Sequence, residues 1–205
     1  MRVAVFAKAP VPGAVKTRLA AILGLDGAAG LHCGLVRNAL SVARLSRVGP
    51  VELWCAPDET HAFFQRCARE FGASLQRQQG EDLGQRMRHA FDASHARGEA
   101  LLLMGSDCPA LDAAALQSAA EALRSHDAVI APAEDGGYVL VGLSRASPRL
   151  FEAIAWGGGA VMAQTRERLA EAGATWRELP ALWDVDRPED YARLQQSGLL
   201  REVLS

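Results

Sequence analysis

Residues 101–109 read Leu101-Leu102-Leu103-Met104-Gly105-Ser106-Asp107-Cys108-Pro109. This is the most apolar short run in the chain, and glycine and proline follow it directly. The pattern predicts a buried strand over residues 100–104. Such strands belong to largely parallel sheets that helices cover on both faces. Asp107 would then lie at the carboxyl end of the strand, where open sheets of this type bind their ligands.

The rest of the chain repeats the pattern of a short apolar run followed by a longer segment with helical spacing. The further strands are predicted at residues 2–7, 51–56, 74–77, 128–131, 138–143 and 176–179. Alternating strands and helices predict an α/β fold. The two predicted strands that flank Asp135-Gly136-Gly137 indicate an antiparallel hairpin. We therefore expect a mixed, mostly parallel sheet with helices on both faces. We see no internal repeat or linker and expect one domain over residues 1–205.

The composition is that of an ordinary soluble protein, with 49% hydrophobic and 22% charged residues. A net charge of -2 provides neither a basic surface for nucleic acid nor a polybasic membrane patch. We expect no signal peptide and no segment that approaches the roughly 18 apolar residues of a membrane span. The four cysteines form no CxxC pair. We therefore expect a cytoplasmic protein with no nucleic-acid or membrane partner, and the oligomeric state is not readable.

The segment 8–19 follows the first strand and holds three cations, Lys8, Lys16 and Arg18, among Pro12 and Gly13. Arginine forks and lysine charges suit phosphate groups, and glycine lets backbone N–H groups approach them. The glycine spacing is not that of a Walker A loop. A solvated loop with incidental cations would explain the same residues.

Asp107 and the pair Asp184 and Asp186 are the candidate metal ligands. Mg²⁺ prefers one or two carboxylates together with phosphate oxygens and water. Asp184 and Asp186 alternate, so on an extended segment both carboxylates face the same way. Two structural alternatives stay open. Asp107 would serve equally well as a turn residue, and Asp186 could be the N-cap of the last helix with Glu189 completing a capping box.

Two further stretches carry candidate contacts. In residues 132–138, Asp135 and the glycines after it could face an acceptor substrate, although a plain hairpin turn explains them too. In residues 80–87, Asp82 could cap a helix whose first turn contains Gly84 and Arg86. A helix start can meet an anion there. The five histidines show no pairing that indicates chemistry.

In combination, these motifs resemble a known family. They occur in the order Lys8…Pro12-Gly13…Lys16-Thr17-Arg18-Leu19, Asp82-Leu83-Gly84-Gln85-Arg86-Met87, Gly105-Ser106-Asp107-Cys108-Pro109, Asp135-Gly136-Gly137-Tyr138, Trp156 and Asp184-Val185-Asp186. Over almost its full length the chain resembles the bacterial GT-A-like proteins known as radical-SAM- or selenodomain-associated transferases. It is more distantly similar to molybdenum cofactor guanylyltransferases and 2-phospho-lactate guanylyltransferase.

The resemblance implies a GT-A, or nucleotide-diphospho-sugar transferase, fold. It implies that Lys8, Lys16 and Arg18 hold nucleotide phosphates, and that Mg²⁺ or Mn²⁺ binds Asp107 with Asp184 or Asp186. The Asp135 segment would face the acceptor. Where relatives tend to carry Ser/Gly-Thr after the tryptophan, this chain has Gly157-Gly158-Gly159, so a hydroxyl contact there is missing.

We therefore expect a metal-dependent nucleotidyltransferase that moves NMP from an NTP to a small phosphate or phosphonate acceptor. A glycosyltransferase with a nucleotide-sugar donor and a non-catalytic nucleotide-binding protein are the alternatives. The predicted catalytic residues are Lys16, Arg18 and Asp107. The predicted nucleotide-binding residues are Lys8, Pro12, Gly13, Lys16, Thr17, Arg18, Asp82, Gly84, Arg86 and Ser106. The predicted acceptor-binding residues are Asp135, Gly136, Gly137, Tyr138 and Trp156.

Overall fold

The computed structural model describes residues 1–147 and 149–204. The strands are β1 (Arg2–Lys8), β2 (Val51–Ala56), β3 (Ser74–Arg77), β4 (Leu101–Gly105), β5 (Ala128–Pro132), β6 (Tyr138–Leu143) and β7 (Trp176–Glu178). The helices are α1 (Ala20–Ser46), α2 (Ala62–Phe71), α3 (Leu83–His95), α4 (Ala113–Ala122), α5 (Val161–Glu171), α6 (Pro188–Ser197) and α7 (Leu200–Leu204). A short 3-10 helix, Thr17–Leu19, precedes α1. The predicted strands are confirmed to within about one residue at each end.

The strands form one sheet in the order β3-β2-β1-β4-β6-β5-β7. Every neighbouring pair is parallel except the two that include β6, which is antiparallel to both β4 and β5. The mixed, mostly parallel sheet is thus confirmed. Because β6 alone is reversed, its amino end lies at the same edge of the sheet as the carboxyl ends of the other strands. We call this the carboxyl edge.

Helices cover both faces of the sheet, as expected. On one face, Leu40 of α1, Phe64 of α2 and Leu116 of α4 are buried in a core that includes β1, β2 and β4 residues. On the other face, Phe91 of α3 and Leu169 of α5 pack in a second core. With apolar groups removed from water on both sides, the strand ends are left to carry polar side chains.

Helix α1 corrects one expectation from the sequence. The segment Thr17–Ser46 has a mean hydropathy of 1.6 over its most apolar window and is long and apolar enough to cross a membrane, so the expectation that no such segment exists was wrong. The helix is interrupted at Gly24, where φ is 70°. Beyond this kink, Leu31, Leu35 and Leu40 are buried in the protein core. Part of the apolar character of α1 is thus used in packing, and 44% of its most apolar window is buried inside the protein.

Candidate active site

Lys16 lies at the centre of the carboxyl edge. Its backbone adopts a left-handed conformation, with φ of 48°, and starts the 3-10 helix. This turns the side chain inward, where it is only 3% exposed. Its Nζ lies 2.9 Å from Asp107 Oδ1 and 3.1 Å from Asp186 Oδ1. The structure therefore brings together three predicted site residues around one buried ammonium group.

Lys16 and the two carboxylates beside it stabilise each other's ionised forms. Burial works to lower the pKa of Lys16, but the Asp107 and Asp186 carboxylates outweigh it and hold that pKa above its usual range. Burial works to raise the pKa of Asp107, yet the charge and hydrogen bonds of Lys16 prevail and keep that pKa low. At neutral pH the site thus holds an ammonium ion between ionised carboxylates.

Asp186 reaches Lys16 because it does not cap the last helix. The N-cap position of α6 is occupied by Arg187. Asp190 accepts hydrogen bonds from the backbone N–H groups of Asp186 and Arg187, at 3.0 and 2.7 Å. The predicted capping role of Asp186, with Glu189 as partner, was therefore wrong. Its carboxylate is instead held by Lys16 and, at 3.3 Å, by Arg18.

The segment that carries Asp184 and Asp186 is tied to Asp107 through the backbone. The N–H of Val185 donates to the carbonyl oxygen of Asp107 at 2.9 Å. Val185 is fully buried. The residues on either side of it therefore have fixed positions beside the end of β4, as their alternation in the sequence suggested.

Asp184 has an unusual electrostatic environment. Burial and the nearby charges of Asp135, Asp186 and Asp107 raise its pKa to about 6. Like charges close to a carboxylate disfavour its ionised form. Lys16 and Arg18 pair with Asp186, and none of the described residues forms an ion pair with Asp184. Negative charge is thus in excess on this side of the site.

A cavity of about 630 Å³ opens next to Lys16, and we call it the main cavity. It is lined by Phe6, Ala7, Lys8, Ala14, Val15, Lys16, Thr17, Arg18, His32, Gln78, Leu83, Arg86, Gly105, Ser106, Asp107 and Asp186. Six of the predicted nucleotide-binding residues are thus brought together: Lys8, Lys16, Thr17, Arg18, Arg86 and Ser106. Four cations in a cavity of this size suit a polyphosphate.

Four predicted nucleotide-binding residues do not line the main cavity. Pro12 and Gly13 lie in the outer, exposed part of the loop. Asp82 caps α3 by accepting a hydrogen bond from the Gln85 N–H at 2.8 Å. A Cβ at Gly84 would lie 2.5 Å from Trp156 Nε1, so Gly84 makes room for this indole. The structure gives Asp82 and Gly84 clear structural roles.

Two smaller cavities adjoin Asp184, and we call them together the side cavity. The first, of about 400 Å³, is lined in part by Arg18, Asp135, Asp186 and residues 157–159. The second, of about 170 Å³, contains Asp135, Gly137, Tyr138, Trp156 and Asp184 among its lining residues. Arg18 and Asp186 also line the main cavity. Four of the five predicted acceptor-binding residues therefore lie beside a second space next to the first.

Gly136, the remaining predicted acceptor residue, holds this region together. Its φ is +91°, and a Cβ there would lie 2.2 Å from the Gly159 carbonyl oxygen. Its own carbonyl oxygen accepts a hydrogen bond from the Met162 N–H at 2.8 Å. The turn is closed by the Gly137 N–H, which donates to Asp135 Oδ1 at 2.9 Å. The hairpin-turn interpretation is thus correct, and the same turn fixes residues 157–159 beside the side cavity.

Two polar residues that line the main cavity, His32 and Gln78, were not predicted as site residues from the sequence. His32, on α1, is 4% exposed, and its Nδ1 lies 3.9 Å from Asp107 Oδ1. Burial lowers its pKa and so disfavours the protonated ring. Gln78 donates to the carbonyl oxygens of Trp54 and Ala7 at 2.8 and 3.2 Å. Gln78 follows β3, so the strand-end rule could have found it, whereas no local signal marks His32.

The carboxylates of the site suit a divalent cation whose remaining ligands are phosphate oxygens and water. Among residues 1–147 and 149–204, no three His, Cys, Asp or Glu side chains lie close enough to hold a metal ion. Asp107, Asp184 and Asp186 are thus not assembled as a ready three-carboxylate site. Mg²⁺ commonly needs only one or two carboxylates, with phosphate oxygens and water completing its shell. The oxygen donors and the excess negative charge around Asp184 fit that pattern.

The fold and the cavity at its carboxyl edge define a transferase with the nucleotide-diphospho-sugar transferase fold. A crystal structure of a Desulfovibrio desulfuricans protein, described as a candidate nucleotide-diphospho-sugar transferase, matches with a TM-score of 0.86 and 33% identity, over 98% of this chain and 94% of that chain. The chain belongs to the family described as "uncharacterized protein conserved in bacteria (DUF2064)", whose model matches residues 39–158. The expected fold and enzyme class are confirmed.

More distant structures share the fold. A nucleotidyl transferase from Methanothermobacter matches with a TM-score of 0.65 and 21% identity, over 98% of both chains. A Mycobacterium tuberculosis protein in complex with manganese matches with a TM-score of 0.54 and 20% identity, over 96% of this chain and 98% of that chain. No curated protein matches this chain significantly.

Proposed function

We propose that this protein is a metal-dependent nucleotidyltransferase, which transfers NMP from an NTP to a small acceptor bearing a phosphate or phosphonate group. The observation that carries the proposal is the buried Lys16, held between Asp107 and Asp186 at the edge of the main cavity. This arrangement combines the two charges that the reaction needs. Cations are available for the phosphates, and carboxylates are available for a divalent ion.

The nucleotide would bind in the main cavity with its phosphates toward Lys8, Lys16 and Arg18. Arg18 is 63% exposed, so it can turn toward a ligand at little cost. Arg86 lines the same cavity, and its Nε donates to the Gly80 carbonyl oxygen at 3.0 Å. That bond leaves the other nitrogens of the guanidinium group free to donate to phosphate.

Mg²⁺ or Mn²⁺ would be held by Asp107 with Asp184 or Asp186. The bound ion would supply neutralising charge for the phosphates. Lys16 already pairs with Asp107 and Asp186, so an ion competes with it for these oxygens. If a phosphate draws Lys16 away, the carboxylates become available. Nucleotide and metal should therefore strengthen each other's binding, as linked equilibria require. The manganese complex of the Mycobacterium tuberculosis protein supports the choice of ion.

The acceptor would enter through the side cavity. One of its phosphate or phosphonate oxygens forms a bond to the α-phosphorus, the bond to the β-phosphate oxygen breaks, and pyrophosphate leaves with that electron pair. Lys16 and Arg18 stabilise the negative charge on the leaving group, and the protein acts mainly by positioning. Asp135, Tyr138 and Trp156 line the smaller part of the side cavity and would contact the acceptor. Residues 157–159, which carry no side chains, leave it space.

A glycosyltransferase is the second candidate. It is favoured by the description of the Desulfovibrio desulfuricans relative as a candidate nucleotide-diphospho-sugar transferase. The same carboxylates and cations would bind a nucleotide-sugar, whose sugar would occupy the side cavity. The difference between the two reactions is the bond that breaks, at the α-phosphorus in one and at the sugar carbon in the other.

A thermal-shift screen with NTPs and nucleotide-sugars, each with and without Mn²⁺, distinguishes these functions. A ligand that binds the folded state raises the melting temperature by mass action. We expect the largest rise with an NTP and Mn²⁺ together, and pyrophosphate release on addition of phosphate or phosphonate acceptors. A rise with nucleotide-sugars alone would favour the glycosyltransferase. Binding without turnover of any donor would indicate a non-catalytic nucleotide-binding protein.

The remaining parts of the proposal concern the setting of the enzyme. We propose that residues 1–205 act as one domain in the cytoplasm, without nucleic-acid or membrane partners. We also retain as a proposal the narrower likeness to radical-SAM- or selenodomain-associated transferases and to guanylyltransferases. The base and the acceptor would be identified by the same ligand screen.

A further inference from the structure

His32 connects two parts of the site through opposite sides of one ring. It lies on α1 and is almost completely buried. Its Nε2 lies 2.9 Å from the carbonyl oxygen of Lys8, at the end of β1. Because a carbonyl oxygen can only accept, Nε2 must carry the hydrogen. On the neutral ring, Nδ1 is then a hydrogen-bond acceptor.

The other side of the ring is unusual, because Nδ1 is buried and has no hydrogen-bond partner among the described residues. The ring lines the main cavity. Asp107 Oδ1 lies 3.9 Å from Nδ1. That atom is also an acceptor, so the two cannot bond to each other. Buried acceptors without a donor are uncommon in folded proteins and call for an explanation.

We propose that His32 is a positioning residue of the metal site, whose Nδ1 accepts a hydrogen bond from a water molecule bound to a divalent cation at Asp107. Since Nδ1 lies 3.9 Å from Asp107 Oδ1, a water beside Asp107 on the ion would be within reach to donate one of its hydrogens to Nδ1. Mg²⁺ and Mn²⁺ keep several waters when proteins bind them through few carboxylates. This inference rests on the proposed metal-dependent function and adds a residue that contacts the ion only through water.

The geometry explains why histidine suits this position. Nε2 bonds to the loop that carries the phosphate-binding cations, while Nδ1 faces the metal side. A single rigid ring thereby sets the position of the bound water relative to both. Outer-shell partners of this kind typically change metal affinity by about 10–100-fold when they are replaced.

Two substitutions separate the two sides of the ring. His32→Gln places its amide nitrogen as far from Cβ as Nε2, so it keeps the bond to Lys8 and loses the Nδ1 acceptor. His32→Asn places its amide oxygen as far from Cβ as Nδ1, so it keeps the acceptor and loses the bond to Lys8. The two variants therefore test separately which ring nitrogen matters, and both replace the ring with a smaller polar side chain.

The experiment is titration calorimetry of Mn²⁺ into the full-length wild-type protein and both variants, with and without the NTP that stabilises the wild type most. Melting temperatures are measured in parallel. We expect His32→Gln to raise the Kd for Mn²⁺ by about 10-fold with little change in melting temperature. We expect His32→Asn to melt earlier and to keep the Kd within about three-fold, well below the loss that an outer-shell partner causes.

The inference is overturned if His32→Gln binds Mn²⁺ as the wild type does, or if both variants lose affinity in proportion to their loss of stability. In either case wild-type Mn²⁺ binding would leave the proposed function intact. If the wild type binds no Mn²⁺ with any NTP, the metal-dependent function itself fails, and the role of His32 fails with it.

Discussion

Two clusters of charged side chains lie at opposite edges of the sheet and differ in how completely they are paired. The amino-edge cluster consists of Arg2, Glu52, Arg97 and Glu99. Glu52 is 2% exposed and accepts hydrogen bonds from Arg97 and from Trp54 Nε1, each at 2.9 Å. Arg2 pairs with both Glu52 and Glu99. Two cations and two carboxylates therefore neutralise each other.

The carboxyl-edge cluster, which comprises Lys16, Asp107, Asp184 and Asp186, is different. The Lys16 ammonium group serves two carboxylates, of which only Asp186 also pairs with Arg18. Burial and the neighbouring carboxylates raise the pKa of Asp184. The Asp107 side chain remains 40% exposed at the cavity. Burial of charge alone therefore does not mark a functional site. The distinguishing feature is negative charge that the protein itself leaves uncompensated, beside a cavity that can admit a cation.

We expect the largest effect from Asp107→Asn, which alters the carboxyl-edge cluster. Removing a direct ligand should raise the Kd for Mn²⁺ with NTP by more than about 100-fold, beyond the loss that outer-shell changes cause. Titration calorimetry measures the effect. Glu121→Gln is the matched control, because Glu121 pairs with Arg124 on the surface of α4. Normal Mn²⁺ binding by Asp107→Asn would remove the carboxyl-edge cluster from the metal site.

Glu52→Gln tests the opposite cluster. It should lower the free energy of unfolding by about 2 kcal/mol, because hydrogen bonds to a charged group contribute about 1.5–3 kcal/mol. Urea unfolding measures this loss. The Kd for Mn²⁺ with NTP should stay at the wild-type value, since the two clusters lie at opposite edges. A parallel loss of Mn²⁺ affinity would show that the clusters are coupled.

Lys16→Met tests whether the ammonium group of Lys16 competes with the metal ion for the carboxylates. The affinity for NTP should fall by about 10-fold, as expected for loss of one charge-assisted hydrogen bond. Without nucleotide, however, the affinity for Mn²⁺ should rise, because Asp107 loses its competing cation and Asp186 keeps only its pair with Arg18. Calorimetry with each ligand alone measures both, and Arg124→Met is the control. Weaker Mn²⁺ binding in the absence of nucleotide would contradict the proposed competition.

The smallest effect is expected for Asp184→Asn and appears as a pH dependence. The pKa of Asp184 is raised to about 6 in the folded protein, so the folded state holds this proton more tightly than the unfolded state. Stability from this group therefore falls as pH rises from about 4 to about 6. The variant should lack this fall and be more stable than the wild type at pH 8, by about 1 kcal/mol once solvent screening is allowed for.

Urea unfolding of the wild type and Asp184→Asn at pH 4 and pH 8 tests this sign. Added Mn²⁺ should reduce the difference at pH 8, because the cation compensates the wild-type charge. If the variant were less stable than the wild type at pH 8, Asp184 would be a stabilising partner rather than an uncompensated carboxylate.

Most of the fold could be predicted from local patterns. Residues 101–105 of β4 are apolar and are bounded by turn residues. The turn at Asp135 predicts that β5 and β6 are antiparallel, as they are. Such patterns reflect burial and local backbone preferences, and both can be seen in the order of residues along the chain. The carboxyl edge followed from the fold class. The candidate residues Lys16, Asp107 and Asp186 could therefore be named in advance as neighbours.

The details of the site could not be predicted in this way. Asp186 and Glu189 fit a capping motif, but Asp190 makes the backbone hydrogen bonds, since the helix begins one residue later than the motif suggested. Gly84 suggested an anion contact, but its place is determined by the Trp156 indole. His32 has no sequence neighbour that indicates a role. Each outcome depends on a contact between distant segments.

The order and kind of the elements, the mixed sheet and the edge at which polar residues gather could all be predicted from the sequence. These follow from periodicity and turn chemistry, which act over a few residues. Two contacts became visible only in the folded protein. Lys16 is shared by Asp107 and by Asp186, which is 170 residues away from it, and His32 lies near the Asp107 carboxylate. The physical reason is that charge pairing and burial depend on distance in space, which the chain sets only when its layers pack together.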